Sequence, residues 1–319
     1  MKRILNVLLS FVVLLFLVGC SNNYKYNPEK VNVTTTTNII KDLVLQIGGD
    51  KVNVYTLMGP GVDPHQYVAR PSDYTALSNA DLIVASGLHL EGKMVGILDS
   101  YKNQSNKEIL IVGDEIATNS ANELKSLLIL DESFGDNYDP HFWFDIDLYK
   151  EAARYVYLKL SEIDNNNQNY YEERYSIYLN ELDNLSLMIT NMLDEIDPKD
   201  RYLISSHDAF QYFGNKYQFK VYSLQGLSTE DEVSPSDIIE IVDVVTENNV
   251  KAIFPETSVP IETIKSVEEE LNRKGYEIVI GDNLYSDSLG DQNDDDTYIK
   301  MYLKNVTTII NAFEEEERS

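Results

Sequence analysis

Residues 170–196 read YYEERYSIYLNELDNLSLMITNMLDEI, and this stretch decides how the rest of the chain is arranged. Its apolar and tyrosine side chains recur at steps of three and four residues, so in a helix they lie on one face. The repeating positions are Tyr171, Tyr175, Tyr178, Leu182, Leu185, Ile189, Met192 and Ile196. Such a helix extends about 40 Å, roughly the width of a domain, before Pro198 ends it. Because it lies near the middle of the chain, we interpret it as a rigid connector between two lobes rather than a long helix on one domain.

Short apolar runs alternate with helical patterns on both sides of this stretch. The strand-like runs are residues 52–57, 82–85, 109–112, 203–204, 221–222, 252–254 and 277–280. This alternation is typical of α/β folds with largely parallel sheets. We therefore predict two α/β lobes with largely parallel sheets, joined by one long rigid connecting helix. The predicted units are residues 31–169 for the N-terminal lobe, 170–197 for the connecting helix and 198–319 for the C-terminal lobe.

The N-terminus has the features of a secretory signal. Lys2 and Arg3 precede an apolar run at residues 4–17, broken only by Asn6 and Ser10 and shorter than the roughly 20 residues of a transmembrane span. The run leads into Leu17-Val18-Gly19-Cys20, which resembles the lipobox of bacterial lipoproteins. An ordinary signal peptide with an incidental cysteine is the alternative.

The lipobox interpretation predicts where the protein is located. We expect residues 1–19 to be a signal peptide, Cys20 to carry the lipid and residues 20–30 to form a lipid-anchored tether. The protein then lies outside the cytoplasm, anchored to the bacterial cell membrane. Since Cys20 is the only cysteine, no disulfide forms within one chain.

The chain is strongly acidic, with a formal net charge of −27. Such a surface repels nucleic acid and anionic lipid headgroups, which argues against both as partners except through the lipid anchor. It also attracts cations, but weakly and without selecting one. A selective cation site therefore has to come from particular side chains.

Histidine is scarce and is placed in a pattern that indicates metal binding. Only four histidines occur, and two of them end the repeated tripeptide Asp-Pro-His, at His65 and His141. A third, His207, follows the apolar run at residues 202–206, where a strand would deliver it to a loop. Neutral imidazole is the commonest metal ligand, and its pKa near about 6.5 leaves it mostly unprotonated at neutral pH. A preceding proline stiffens the loop that carries the imidazole.

A fourth ligand is expected in the second half of the chain. Asp282 and Asp287 both follow the strand-like residues 277–280, and ligands of open α/β folds gather at the carboxyl ends of strands. We favour Asp287, because Asp282 stands where a turn or a helix cap is expected. Each candidate then arrives on its own loop, so the loops converge in a cleft between the lobes.

Several segments resemble the zinc- and manganese-binding lipoproteins of ABC importers, in the expected order from about Val33 to Phe313. They are residues 62–67 (VDPHQY), 80–84 (ADLIV), 87–91 (GLHLE), 139–143 (DPHFW), 206–213 (SHDAFQYF), 226–230 (GLSTE) and 285–291 (YSDSLGD). The resemblance implies two α/β lobes joined by a long rigid helix, with the metal buried between them. The family's ligand positions match His65, His141, His207 and Asp287.

The resemblance also implies a function. Members of this family are not enzymes; they capture a divalent cation outside the cell and hand it to a membrane permease driven by an ATPase. We expect this chain to act as a monomer. His89 falls outside the ligand positions and is interpreted as structural, and Asp145 is interpreted as a helix cap in preference to a residue that supports the ligands.

The metal is expected to be Zn²⁺ or Mn²⁺. Three imidazoles and one carboxylate complete a four-coordinate site, which suits zinc, whereas a bidentate Asp287 would better accommodate manganese. Within the family, histidine at the third position often accompanies zinc, and aspartate at the fourth occurs in manganese importers. Intrinsic affinity favours zinc at any such site. We expect release to involve small lobe shifts, because a rigid connecting helix forbids wide opening.

Three other interpretations are weighed against metal transport. A secreted zinc hydrolase lacks support, because no His-Glu-x-x-His motif occurs and a fourth protein ligand closes the catalytic position. The acidic residues 291–296 lack the spacing of a calcium loop and are interpreted as a solvated loop. A surface adhesin leaves no sequence signature and is compatible with transport.

Overall fold

The computed structural model describes residues 24–104, 107–131, 135, 137–230 and 232–318. The predicted signal peptide, Cys20 and the first part of the predicted tether lie outside these residues. Residues 24–30, the remainder of the predicted tether, contact the first lobe: the Tyr24 hydroxyl donates to the Asn79 carbonyl oxygen (3.1 Å), and its ring packs against that of Tyr55 in a T-shaped, edge-to-face arrangement. No helix in the described part of the chain is both long and apolar enough to cross a membrane.

The first half of the chain forms a four-stranded parallel sheet. Its strands are β1 (Val31–Thr35), β2 (Val52–Thr56), β3 (Leu82–Ala85) and β4 (Glu108–Ile111), in the order β2-β1-β3-β4. The helices that connect and flank them are α1 (Asn38–Gly48), α2 (Pro71–Asn79), α3 (Val95–Lys102), α4 (Val112–Asn119), α5 (Asn122–Lys125) and α6 (Ile146–Ile163). A short antiparallel pair, β5 (Leu130–Asp131) and β6 (Asn137–Tyr138), precedes α6.

Strand β1 lies inside this sheet although its sequence is not apolar. Asn32, Thr34 and Thr35 are fully buried. Their polar atoms are satisfied locally: the Asn32 amide donates to the Asp81 carboxylate (2.9 Å), and the Thr34 hydroxyl donates to the Ala76 carbonyl oxygen (3.1 Å). These hydrogen bonds offset the cost of burying polar groups. Strand β1 is not among the predicted strands, because valine alternates with asparagine and threonine along it and it therefore has no continuous apolar run.

The second half repeats the parallel architecture on a smaller scale. Strands β7 (Tyr202–His207) and β8 (Lys220–Gln225) pair in parallel, as do β9 (Ala252–Ile253) and β10 (Val279–Ile280). The Phe254 backbone N–H donates to the Ile204 carbonyl oxygen (2.9 Å), which brings the two pairs side by side. The helices are α8 (Gln211–Tyr217), α9 (Pro235–Asn248), α10 (Glu262–Arg273) and α11 (Tyr298–Arg318). Helix α9 begins with a capping box formed by Ser234 and Asp237.

The long helix predicted between the halves is α7 (Gln168–Leu193), which has 26 residues. Of its predicted apolar face, Tyr171, Tyr178, Leu182, Leu185 and Ile189 are buried. The helix ends at Leu193, earlier than expected, and Ile196 is buried in the turn that follows.

Arginine side chains tie each end of α7 to a different half of the molecule. Arg174 Nε donates to the Gln46 carbonyl oxygen near the end of α1 (2.7 Å). The buried Arg201 donates to the carbonyl oxygens of Leu193 (2.9 Å) and Tyr217 (3.0 Å), the last residues of α7 and α8. Cations near the last carbonyls of a helix are stabilising, so both junctions are held by favourable contacts.

One hydrophobic core runs through both lobes. It contains residues of the first sheet and α1, the inner face of α7, and the aromatic residues of α8 and α11. Tyr149 of α6 stacks on Tyr298 of α11 with ring centroids 3.7 Å apart, and the Tyr298 hydroxyl donates to the Trp143 carbonyl oxygen (2.6 Å). The fold is therefore the predicted α/β architecture of two lobes. The shared core holds the two lobes rigidly together where α1, α7, α8 and α11 pack against one another.

Candidate metal site

Three loops and the end of one strand bring His65, His141, His207 and Asp287 together between the lobes. His65 lies in the loop after β2, His141 directly precedes the 3₁₀ turn Phe142–Phe144, and His207 is the last residue of β7. Asp287 lies in the loop between β10 and α11. One ligand atom from each residue lies within 4.8 Å of the others, and each residue is at most 1% exposed. The predicted convergence of the four candidates is therefore observed, with the difference that His207 lies at the end of a strand rather than on a loop.

The separations within this cluster suit a common cation. His141 Nε2 lies 3.3 Å from His207 Nε2 and 3.3 Å from Asp287 Oδ1, and His207 Nε2 lies 3.4 Å from Asp287 Oδ2. Ligands about 2.0–2.1 Å from a tetrahedral zinc ion are separated by about 3.3–3.4 Å, so the two histidine nitrogens have that spacing, and each lies at that distance from a different oxygen of Asp287.

His65 is the fourth member of the cluster. Its ring centroid lies 5.4 Å from that of His141 and 5.7 Å from that of His207. Its Nε2 atom is buried and has no hydrogen-bond partner among the described residues. A buried polar atom left unpaired costs about 1–3 kcal/mol, and coordination of a cation would remove that cost. The donor set therefore fits a divalent transition metal.

Buried carboxylates orient two of the imidazoles. Asp139 Oδ1 accepts a hydrogen bond from the His141 backbone N–H (2.9 Å) and lies 2.7 Å from His141 Nδ1. Glu256 accepts from the His207 backbone N–H (2.8 Å) and lies 2.5 Å from His207 Nδ1. When Nδ1 carries the proton that the carboxylate accepts, Nε2 keeps a lone pair that faces the centre of the cluster. Both imidazoles are thereby held in the orientation that metal coordination through Nε2 requires.

Burial and charge shift the pKa values of the four residues in opposite directions. Burial lowers the pKa of His65 to about 3. Burial also opposes protonation of His141, but Asp139 and Asp287 outweigh it and raise the pKa of His141 to about 9. For His207, Glu256 and Asp287 outweigh burial and raise its pKa well above the usual value. Burial likewise opposes ionisation of Asp287, but His207 and His141 hold its pKa well below the usual range.

These shifts describe a site that exchanges protons for a cation. Without a metal, the carboxylates around His141 and His207 favour a second proton on each imidazole, which makes the rings cationic. A bound divalent cation supplies the positive charge instead and displaces those protons. Binding and protonation therefore compete for the same nitrogen atoms.

Two supporting residues were missed by the sequence analysis. Glu256 holds His207, and Ser258 donates to Asp287 Oδ2 (3.2 Å). Both belong to the segment after β9, which pairs with the Asp287 loop through the hydrogen bond from the Thr257 backbone N–H to the Leu284 carbonyl oxygen (3.0 Å). The only signal was their position just beyond the apolar residues 252–254, at the carboxyl end of a strand.

Three other residues considered in the sequence lie outside the cluster. His89 and Asp282 are exposed. Asp145 caps α6, because its carboxylate accepts hydrogen bonds from the backbone N–H groups of Asp147 (2.8 Å) and Leu148 (3.4 Å). The predicted helix cap is therefore confirmed.

Comparison with known proteins shows the same fold and family. A family model described as zinc-uptake complex component A, periplasmic, matches residues 33–312. The chain is 37% identical over 299 residues to the manganese-binding lipoprotein MntA of Bacillus subtilis (strain 168), covering 93% of this chain and 94% of that protein. It is 27% identical over 316 residues to the manganese ABC transporter substrate-binding lipoprotein PsaA of Streptococcus pneumoniae serotype 4 (strain ATCC BAA-334 / TIGR4), covering 97% and 98%.

A solved structure agrees with these sequence matches. The periplasmic zinc-binding protein TroA of Treponema pallidum superimposes with a TM-score of 0.81 at 33% identity, covering 89% of this chain and 99% of that one. The matches extend over nearly the whole of both partners, including the two lobes and the long helix. The chain therefore belongs to the zinc-uptake component A family of metal-binding, substrate-binding proteins of ABC transporters.

Proposed function

We propose that this protein captures a divalent transition metal, Zn²⁺ or Mn²⁺, outside the cytoplasm and delivers it to an ABC permease and its ATPase for import. The observation that carries the proposal is the buried cluster of three histidines and one aspartate, contributed by segments on both sides of α7. We take His65, His141, His207 and Asp287 as the ligands. The metal is the transported substrate rather than a cofactor.

The donor set supports binding without catalysis. Four protein ligands fill a tetrahedral site, so no position is left for a metal-activated water molecule. The family consists of transport proteins, and we infer that this chain is likewise not an enzyme. No observation on the molecule favours the hydrolase or adhesin interpretation.

We also infer how the chain is divided into two lobes and a connecting helix for metal capture. Residues 31–169 and 198–319 act as two lobes, and residues 170–197 act as the connecting helix. The division is supported by the separate parallel sheets before and after α7 and by the supply of two ligands from each side. The shared hydrophobic core supports small movements rather than wide opening.

We infer that the mature chain begins at Cys20 and is held at the membrane by a lipid on this residue, with residues 1–19 removed as a signal peptide. Relatives named as lipoproteins support this proposal. The protein acts as a monomer in this scheme. Fractionation of cells that express the wild type and Cys20→Ala tests the anchor, because the variant is expected to leave the membrane fraction. Retention of the variant in washed membranes would contradict lipid anchoring at Cys20.

The proposed ligands are tested by titrating the metal-stripped protein, residues 21–319, with zinc and with manganese. We expect one equivalent of metal to bind the wild type, and His207→Ala to bind at least about 100-fold more weakly, because a ligand is lost from a closed site. His89→Ala is the matched control, since His89 is exposed and outside the cluster. Stoichiometric binding that is indifferent to His207 would reject the proposed site.

A further inference from the structure

Two loops from opposite lobes meet beside His65. The loop after β2 carries Asp63 and Gln66, and the loop after β8 carries Thr229. The Thr229 hydroxyl donates to Asp63 Oδ2 (2.6 Å), and Gln66 Nε2 donates to the Thr229 carbonyl oxygen (2.8 Å). We name Asp63, Gln66 and Thr229 the clasp. Thr229 is only 5% exposed, so its hydrogen bond to the carboxylate is largely shielded from water.

Asp63 connects the clasp directly to a proposed ligand. While its Oδ2 atom accepts from Thr229, its Oδ1 atom accepts from the backbone N–H groups of His65 (2.9 Å) and Gln66 (3.4 Å). The same carboxylate therefore shapes the turn that presents His65 and contacts the opposite lobe. A movement that separates Thr229 from Asp63 removes one of the three hydrogen bonds that position this carboxylate.

The clasp lies on a side of the cleft where the lobes are held by few contacts. Elsewhere the lobes are joined by the shared core and by Asn38, whose side chain exchanges two buried hydrogen bonds with the backbone of Leu289 (2.9 and 3.0 Å). Near the clasp, two further contacts join the lobes: the Gly61 backbone N–H donates to the Ser288 hydroxyl (3.0 Å) in a partly buried position, and the exposed ion pair of Lys93 with Glu230 (3.6 Å) is worth little. Separation of the lobes is therefore easier at the clasp than at Asn38.

We propose that Thr229 is a positioning residue that controls metal release: its hydrogen bonds to Asp63 and Gln66 keep the His65 turn in its ligating geometry and the cleft closed. The proposal rests on the proposed function, since it concerns the departure of the metal from that site. Loss of the clasp frees the His65 turn before any other ligand has to move. Release then requires the breaking of the clasp and of the hydrogen bond from Gly61 to Ser288, rather than bending of α7.

The test compares Thr229→Val with the wild type by stopped flow, after mixing the zinc-loaded protein with excess chelator. Valine keeps the shape of threonine but removes the hydroxyl donor. We expect the dissociation rate constant to rise at least about tenfold, the effect of losing a hydrogen bond to a charged group, with the association rate constant changed much less. Thr229→Ser should restore slow release, and Ser228→Ala on the same loop should match the wild type. An unchanged dissociation rate in Thr229→Val would overturn the proposal.

A second variant and a second readout keep the test decisive. Gln66→Ala removes an exposed side chain and so preserves folding; it should also speed dissociation, though by less than Thr229→Val. Hydrogen exchange in the metal-free protein should be faster across residues 62–69 in both variants, because the turn loses its anchor. Unchanged exchange there would reject the clasp even if the wild type binds no metal. Absence of metal binding by the wild type, in contrast, would reject the proposed function.

Discussion

Glu256 accepts two hydrogen bonds from His207, one from its backbone N–H (2.8 Å) and one from Nδ1 (2.5 Å), although 49 positions separate the two residues. Both residues are buried, at 3% and 0% exposure. The first hydrogen bond fixes where β7 ends, and the second fixes how the imidazole is rotated. A single carboxylate thus determines both the position and the orientation of a proposed ligand.

Replacement of Glu256 by glutamine should weaken metal binding by about 10–100-fold, the usual effect of losing an outer partner of a ligating histidine. Glutamine can present only one oxygen, so its amide NH₂ faces one of the two donors of His207. Zinc competition titration measures the change. Glu269→Gln, on the exposed side of α10, is the matched control. Equal affinity of Glu256→Gln and the wild type would show that His207 needs no such partner.

Metal binding should release protons and weaken as the pH falls. Because the pKa of metal-free His141 is raised to about 9, a proton competes with the metal at every pH below that value. Calorimetric titration at pH 7 in buffers of different ionisation enthalpy should report net proton release, and the apparent affinity should fall steadily from pH 9 to pH 6. A constant affinity over that range, without proton release, would rule out His141 as a proton-exchanging ligand.

The raised pKa of His141 also affects the stability of the metal-free protein. A histidine whose folded-state pKa lies above its unfolded value of about 6.5 adds stability below that pH and loses the contribution as the pH rises through the folded value. For His141 the loss occurs between about pH 6.5 and pH 9. Urea unfolding of the metal-free protein should show that His141→Ala lacks this part of the wild-type pH dependence. The same pH slope in both proteins would contradict the raised pKa.

Asp42 should destabilise the protein at neutral pH. It is buried beneath the start of α11, where its carboxylate accepts hydrogen bonds from the Tyr298 backbone N–H (2.9 Å) and from Gln46 (3.0 Å). Burial nevertheless raises its pKa to about 6, so the folded state binds more protons than the unfolded state between about pH 4 and pH 6, and stability falls as the pH rises.

Asp42→Asn tests whether ionisation of Asp42 destabilises the folded protein. The free energy of unfolding of the variant, relative to the wild type, should increase by up to about 3 kcal/mol between pH 4 and pH 7. Urea unfolding at both pH values measures it, with the exposed Asp99→Asn as the matched control. A difference that stays constant with pH would mean that Asp42 ionises as readily in the folded chain as in the unfolded one.

The inner face of α7 should carry most of that helix's contribution to stability. Leu185 is 1% exposed and Leu187 is 62% exposed on the same helix. Leu185→Ala should cost about 2–5 kcal/mol through lost burial and a residual cavity, whereas Leu187→Ala should cost less than about 0.5 kcal/mol. Equilibrium unfolding of the metal-free variants measures both. Equal effects of the two substitutions would show that α7 is not packed on its predicted face.

Metal binding should change the size of the molecule very little. The arginine contacts at both ends of α7 and the core shared by the lobes oppose a wide hinge movement. Small-angle scattering of the metal-free and metal-loaded protein should give radii of gyration that differ by less than about 1 Å, since packed elements shift rather than deform. A metal-free form several ångströms larger would require an open state with the shared core separated.

Local sequence patterns were sufficient where a structural feature is built from neighbouring residues. The steps of three and four from Tyr171 to Ile189 predicted the long helix and its buried face, because a helix repeats every 3.6 residues whatever surrounds it. Asp145 was identified as a cap in the same way, since its hydrogen bonds reach only two and three residues along the chain. The resemblance to a family indicated the four residues that the structure brings together.

The acidic run at residues 291–296 is largely the predicted solvated loop, since residues 291–294 and 296 are exposed. Asp295 differs from that prediction, because it is only 5% exposed and accepts hydrogen bonds from the Gln292 backbone N–H (2.9 Å) and the Tyr285 hydroxyl (2.7 Å). Strand β1 was missed for the related reason that most of its buried positions are polar. A polar residue is buried when the fold supplies hydrogen-bond partners, and those partners cannot be identified from the residue alone.

The α/β alternation, the connecting helix and the candidate ligands are predictable from the amino-acid sequence alone, because the first two depend on periodicity and the ligands on short motifs and a family resemblance. The groups that hold those ligands become visible only in the folded molecule. Glu256 meets His207 across 49 positions, and Thr229 meets Asp63 across 166. Hydrogen bonds act over about 3 Å, so such pairs exist only after packing of the core has brought distant loops to the same point.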